Sequence, residues 1–216
     1  MKKEYKYILF DLDGTLTNPE LGITTCAMYA LEKFGINVPD RTALHPFIGP
    51  PLAFSFQNFY GFSQEDTEIA IKHFRERFND KGIFENELYK DIPFVLETLK
   101  NQEKILILAT SKPEQFAIRI LKHFDIEKYF DFITGATFDD TRTEKSDVIA
   151  HALSIAGITA REKAIMIGDR KYDITGAREN NLESLGVTYG FGSREELERA
   201  GATYIVTEVK DLLEYI

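Results

Sequence analysis

A single cysteine, Cys26, stands among the 216 residues, so the chain cannot close an intrachain disulfide or offer a cysteine pair to a metal. Cys26 reads as a small buried hydrophobe. Long apolar runs are also missing. Residues 1–6 are polar, and the first apolar stretch, residues 7–10, is cut short by Asp11. Neither a signal peptide nor a membrane span is expected, and the reading is a cytoplasmic protein. Positive charge is in deficit, with 26 lysines and arginines against 35 aspartates and glutamates and a formal charge of −9. Such a field repels polyanions and argues against nucleic acid as a partner. No internal repeat or low-complexity tract is visible, which excludes a repeat architecture.

The remaining composition, 44% hydrophobic and 12% aromatic, is enough to bury a core, and the length suits one α/β domain or a domain with a substantial insertion. Near-continuous aliphatic runs at 7–10, 105–109, 132–134, 164–167, 184–187 and 204–206 read as buried strands, and the stretches between them read as helices. That alternation predicts a parallel sheet covered on both faces, a Rossmann-like α/β core. The period differs between the first two strands. Leu21, Thr24, Met28 and Leu31 repeat at helical spacing up to Gly35. Pro39, Pro46, Gly49, Pro50 and Pro51 then break the chain, and helices are expected over 52–60 and 64–78. No strand is expected within 18–89. The expected organisation is therefore a core of residues 1–17 and 90–216, interrupted by a helical insertion over 18–89.

In open α/β sheets ligands gather beyond the carboxyl ends of the strands. The first strand ends in Asp11, Leu12, Asp13, Gly14 and Thr15. Side chains at i and i+2 of an extended segment point the same way, so Asp11 and Asp13 are expected to lean into one space. Two carboxylates that close call for a divalent cation or a shared proton. The strand at 105–109 ends in Thr110, Ser111 and Lys112, with Pro113 suited to a first helical turn, a combination that can cradle phosphate. The strand at 164–167 ends in Gly168 and Asp169, with Asp173 four residues on, an arrangement that lets two hard oxygen donors face Mg²⁺. Lys145 opens a helix over Lys145–Ile155, after a polar loop at 139–144. A lysine there opposes the helix dipole, so another group is expected to want its charge.

The stretch YILFDLDGTLT over 7–17 closely resembles the first motif of the haloacid dehalogenase superfamily, in its aspartate-nucleophile phosphotransferase branch. Thr110 matches the second motif, Lys145 the third, and GDRKYD over 168–173 resembles the fourth, GDxxxD. The motifs occur in the family's order, and the resemblance spans nearly the whole chain. One departure is that Ser146 follows Lys145 where proline is common; Lys112 and Arg142 are the alternative cations. The stretches AMYALEKFGI, GPPL and ATSKP are similar to the phosphoglycolate phosphatase and 5′-nucleotidase-like group.

This resemblance implies a Mg²⁺-dependent phosphomonoester hydrolase in which the helical insertion is a cap. Asp11 is then the nucleophile that becomes an aspartyl phosphate, and Asp13 is the general acid and base. Mg²⁺ falls to Asp11, Asp13 through its carbonyl, Asp169 and Asp173. The transferring oxygens fall to Thr110 and Lys145, with Gly14, Thr15, Ser111 and Lys112 also taken as phosphate-contacting. Gly49 and Pro50, in a stiff turn with Pro51, are the expected cap contacts to substrate. The expected substrate is a small phosphorylated metabolite, phosphoglycolate or a nucleoside monophosphate, and the expected assembly a monomer or small homo-oligomer. Two rivals remain at this point: a sugar phosphomutase of the β-phosphoglucomutase type, and a non-enzymatic phosphate-sensing module.

Overall fold

The computed structural model describes residues 4–138 and 141–216. Along the chain its elements are β1 (Tyr7–Phe10), β2 (Thr17–Asn18), α1 (Glu20–Glu32), α2 (Leu52–Tyr60), α3 (Gln64–Arg77), β3 (Glu87–Leu88), α4 (Ile92–Asn101), β4 (Ile105–Pro113), α5 (Glu114–His123), β5 (Phe132–Ala136), α6 (Lys145–Ile155), β6 (Ala164–Gly168), α7 (Lys171–Glu179), β7 (Glu183–Val187), α8 (Arg194–Ala200), β8 (Tyr204–Val206) and α9 (Leu212–Tyr215). Six strands form one parallel sheet in the order β5-β4-β1-β6-β7-β8. This is the α/β architecture expected from the alternation of aliphatic strands and helices.

Each central strand is buried on both sides, which is why its residues run apolar without alternation. Leu9, Ile107 and Met166 stand side by side in the register of β1, β4 and β6 and pack into one cluster with Val148, Ile149, Ala152 and Leu153 of α6 and Ala177 of α7. Each of the larger aliphatic side chains contributes about 1.5–3 kcal/mol on burial. The chain winds from β1 to β4 and β5 on one side, then crosses to β6, β7 and β8 on the other. The switch of direction lies beside β1, where such sheets bind ligands.

The chain divides into two compact units, one of Met1–Asn18 and Leu88–Ile216, the other of Pro19–Glu87. Within the second, Phe56 stacks on Phe62 with centroids 5.7 Å apart, Phe34 lies 4.7 Å from Phe62, and Phe47 meets Phe56 edge-on at 5.1 Å. Arg77 clasps Glu85 through two hydrogen bonds of 2.6 and 2.8 Å.

The observed elements correct the sequence reading at four places. The region from 18 to 89 is not free of strand, because β2 and β3 pair in a two-stranded sheet; two-residue strands carry no alternation to read. α3 ends at Arg77, and the chain widens into a π-helical turn over Phe78–Gly82. β4 continues past Ala109 because Thr110 and Pro113 still pair with Gly135 and Ala136 of β5 across a register shift. Pro113 accordingly precedes α5 instead of lying inside its first turn. Asp139 and Asp140, the first residues of the expected loop before α6, lie outside the described residues. No helix among the described residues is long and apolar enough to cross a membrane.

Candidate active site

Asp11 follows the last residue of β1, and its amide donates to the Ile167 carbonyl of β6 at 2.9 Å. Beyond it the backbone curls into a turn in which the amides of Thr15, Leu16 and Thr17 all point to the Leu12 carbonyl, at 3.2, 2.9 and 3.0 Å. Gly14 makes this turn possible with φ of +82°, a conformation that side chains disfavour. A β-carbon at Gly14 would also overlap the carboxylate of Asp169, so the turn lies directly against the tip of β6.

Asp11, Asp169 and Asp173 come together at this edge. A carboxylate oxygen from each lies within 4.8 Å of the others, and all three residues are buried. Lys145, at the start of α6, sends its ammonium among them. Nζ lies 2.8 Å from Asp11 Oδ1 and 2.8 Å from Asp173 Oδ1, and donates to the Ala109 carbonyl at 3.1 Å. Burial works against the charge on Lys145, but Asp11 and then Asp173 outweigh it and hold the ammonium above the ordinary lysine range.

The two distal acids are under strain of charge. Burial, then the neighbouring charges of Asp173 and Asp11, push the Asp169 carboxyl well above the usual carboxylate range. Its Oδ2 accepts the Phe191 amide at 2.7 Å, whereas Oδ1 is buried with no hydrogen-bond partner. Asp173 is pushed up to about 6, first by burial, with Lys145 pulling it down and Asp11 pushing it up. Its Oδ2 turns back to accept the Arg170 amide at 3.0 Å, closing the first turn of α7. With all three acids ionised, three carboxylates against one ammonium leave two negative charges, the charge of one divalent cation. Hard oxygens, the orphaned Oδ1 and this imbalance make the cluster fit Mg²⁺.

Asp13 has a counter-ion of its own. Its carboxylate pairs with the ammonium of Lys112, both side chains being nearly buried. Burial raises the Asp13 carboxyl above its ordinary value, and Lys112 offsets part of that rise. Asp11 and Lys145 are close enough to act on the Asp13 carboxyl by charge, as two acids leaning into one space would be, while the acids that gather with Asp11 as possible metal ligands come from β6 and α7 and Asp13 has its own counter-ion. Lys112, expected to contact phosphate, is engaged by that carboxylate. Thr110 is buried beside them, its Oγ1 accepting the Lys112 amide at 3.2 Å, and Ser111 is half-buried. Thr15 is fully buried, with its hydroxyl lacking a hydrogen-bond partner. Arg142, the alternative cation, is taken up elsewhere, donating to the Gly135 carbonyl at 2.9 Å and to Glu114 at 3.2 Å. Gly49, with φ of +104°, and Pro50 belong to the unit Pro19–Glu87.

Sequence reasoning missed one segment. Residues 188–193, after β7, close over the site: the Tyr189 hydroxyl donates to the Thr15 carbonyl at 3.0 Å, and the Phe191 amide holds Asp169. The signal was present, since β7 is another strand of the same parallel sheet and Gly190 and Gly192 alternate just beyond its end.

Residues 8–187 match the model of a family described as haloacid dehalogenase-like hydrolase. A 5′-nucleotidase from Pseudomonas aeruginosa is 44% identical over 208 residues, which cover 96% of this chain and 94% of that one. The tyrosine-protein kinase PtkA of Mycobacterium tuberculosis is 35% identical over 92% of this chain and 67% of its own length. A crystal structure of a predicted phosphatase from Clostridium acetobutylicum superposes with a TM-score of 0.95 at 49% identity, covering 98% of this chain and 97% of that one.

Proposed function

This chain belongs to the haloacid dehalogenase-like hydrolase family, and from that premise we propose that it is a Mg²⁺-dependent phosphatase of small phosphomonoesters, working through an aspartyl phosphate on Asp11. The observation that carries the reading is the placement of Asp11 at the tip of the central strand, 2.8 Å from the buried Lys145 ammonium and among the charge-deficient acids Asp169 and Asp173. A phosphate monoester resists hydrolysis because its charge repels a nucleophile and its alkoxide leaves poorly. Asp11, Asp169 and Asp173 would hold the cation, which when bound screens the nucleophile from the phosphoryl oxygens.

In the first step an Asp11 carboxylate oxygen forms a bond to phosphorus, the ester P–O bond breaks, and Asp13 delivers a proton to the departing oxygen. In the second, water attacks the same phosphorus, Asp13 takes its proton, and the bond to Asp11 breaks to release phosphate. Lys145 neutralises charge gathering on the transferring oxygens, and Thr110 offers them a hydroxyl. Positioned acid and base catalysis of this kind contributes about 10²–10⁴-fold. Pro19–Glu87 would serve as the cap that limits substrates to small metabolites such as phosphoglycolate or a nucleoside monophosphate.

The test is phosphate release from a panel of phosphomonoesters, with Mg²⁺ and with EDTA, by wild type and Asp11→Asn. Metal-dependent release abolished in the variant is expected. Full activity in Asp11→Asn would remove the covalent route, and sugar phosphate isomerisation without phosphate release would replace the hydrolase reading with a mutase.

A further inference from the structure

The carboxylate of Asp169 lies in a slot between two backbones. On one side is Gly14, where a β-carbon would overlap the carboxylate, and on the other is Gly190, where a β-carbon would overlap both Asp169 and the Gly14 carbonyl. The slot therefore admits no side chain from either strip. Within it the two carboxylate oxygens are treated differently: Oδ2 is fixed by the Phe191 amide at 2.7 Å, and Oδ1 is left buried without a hydrogen-bond partner, in a carboxylate that gathers with those of Asp11 and Asp173. The strip that carries Gly190 and Phe191 is tied to the turn that carries Gly14 by the Tyr189 hydroxyl, which donates to the Thr15 carbonyl at 3.0 Å. Tyr189 is itself braced edge-on against Tyr89, with ring centroids 5.0 Å apart.

We propose that residues 188–193 are a positioning clamp for the cation site, in which Gly190 sets the width of the slot, the Phe191 amide selects which oxygen of Asp169 is offered to the metal, and Tyr189 locks the clamp to the turn after β1. The inference rests on the reading of Asp11, Asp169 and Asp173 as the cation's ligands. A carboxylate with both oxygens free to rotate would lose orientation on binding; one oxygen pinned by an amide leaves the other pre-aimed, the role that groups just outside a metal's ligands play elsewhere. None of these residues needs to touch substrate, so their signature is metal affinity.

Mg²⁺ binding to the full chain by isothermal titration calorimetry, alongside the melting temperature in EDTA, tests the clamp with Gly190→Ala and Tyr189→Phe. Gly190→Ala is expected to weaken Mg²⁺ binding by about 10-fold or more. Tyr189→Phe, which removes one hydroxyl, is expected to weaken it by about 2- to 12-fold. In both, the Mg²⁺ concentration for half-maximal phosphate release should rise with the dissociation constant while KM for the ester at saturating Mg²⁺ stays put. A variant that melts lower in EDTA yet binds Mg²⁺ as wild type does would mark the strip as structural only and overturn the proposal. If Gly190→Ala does not fold, Tyr189→Phe decides, with unchanged affinity overturning it. Wild type that binds no Mg²⁺ would bring down the metal reading of the three acids, and this clamp with it.

Discussion

Replacing Asp169 with asparagine should stabilise the metal-free protein while destroying its response to Mg²⁺. The carboxylate is fully buried, faces two other acids and leaves Oδ1 without a partner. Asparagine keeps the shape, retains an acceptor for the Phe191 amide, and presents an NH₂ donor where the orphaned oxygen stands. An unsatisfied buried polar group costs about 1–3 kcal/mol. Protonation sets a ceiling near 4 kcal/mol at pH 7, because a carboxyl that costs more than that simply binds a proton. Taking about 2 kcal/mol, the melting temperature in EDTA should rise by about 4–8 °C. With Mg²⁺ at about 100 times its dissociation constant, wild type should gain about 2.7 kcal/mol and the variant almost nothing. The pH dependence has a definite sign. Asp169 and Asp173 hold their protons more tightly folded than unfolded, so in EDTA their contribution is fully present below the unfolded carboxyl range and is lost as pH rises towards neutrality. The wild-type decline should be steeper than that of the variant. Calorimetry in EDTA and in Mg²⁺ between pH 4.5 and 8 as about the useful range reads all three quantities. An Asp169→Asn protein that melts below wild type in EDTA, or that keeps the Mg²⁺ gain, would refute the account of the cluster as a charge-deficient cation site.

Lys145→Met strands Asp11 and Asp173 without their counter-ion, and urea unfolding should show a loss of about 3–5 kcal/mol, with phosphate release falling by at least about 100-fold. Gly14→Ala forces a β-carbon into the Asp169 carboxylate at a positive φ, so calorimetric Mg²⁺ binding should disappear; a normal binding isotherm would show that the turn can move aside. Glu85→Gln breaks the double clasp to Arg77, whose hydrogen bonds hold Glu85 below the usual carboxylate range. The partly exposed pair limits the cost to about 1 kcal/mol at pH 7. Because the folded carboxyl value is the lower one, this difference should shrink as pH falls through it, and a gap that persists at low pH would assign the stability to packing.

Legibility from sequence followed the range of the interactions involved. The aliphatic runs of β1, β4 and β6 announce themselves because each is buried on both faces, and α6 begins and ends where its pattern predicts, at Lys145 and Ile155. The rule that ligands gather at strand ends points to Asp11, Asp169 and Asp173, and a lysine set against the dipole at the start of a helix points to Lys145. Pairings between distant segments were not legible. Asp13 and Lys112 are 99 positions apart, and nothing local says that this lysine pairs with that carboxylate. The two-residue strands β2 and β3 hold together by backbone pairing that leaves no side-chain period. The role of Tyr189 rests on a carbonyl 174 positions away, although the glycines that follow it hinted at a close approach.

The pairing of β2 with β3 has a consequence for what this scaffold can become. It holds the exit from the first strand and the return to the core side by side, so the inserted stretch is fastened like a loop whose neck is already tied. Closing a longer loop on such a neck costs little, about 0.6 kcal/mol for each doubling of its length. The core is thus nearly indifferent to how much chain hangs from that neck, and the insertion can be exchanged, shortened or enlarged while the strand register of the core stays as it is. The insert and the acids at the strand tips can then diverge at separate rates, one by exchange of chain and the other held fast by the sheet.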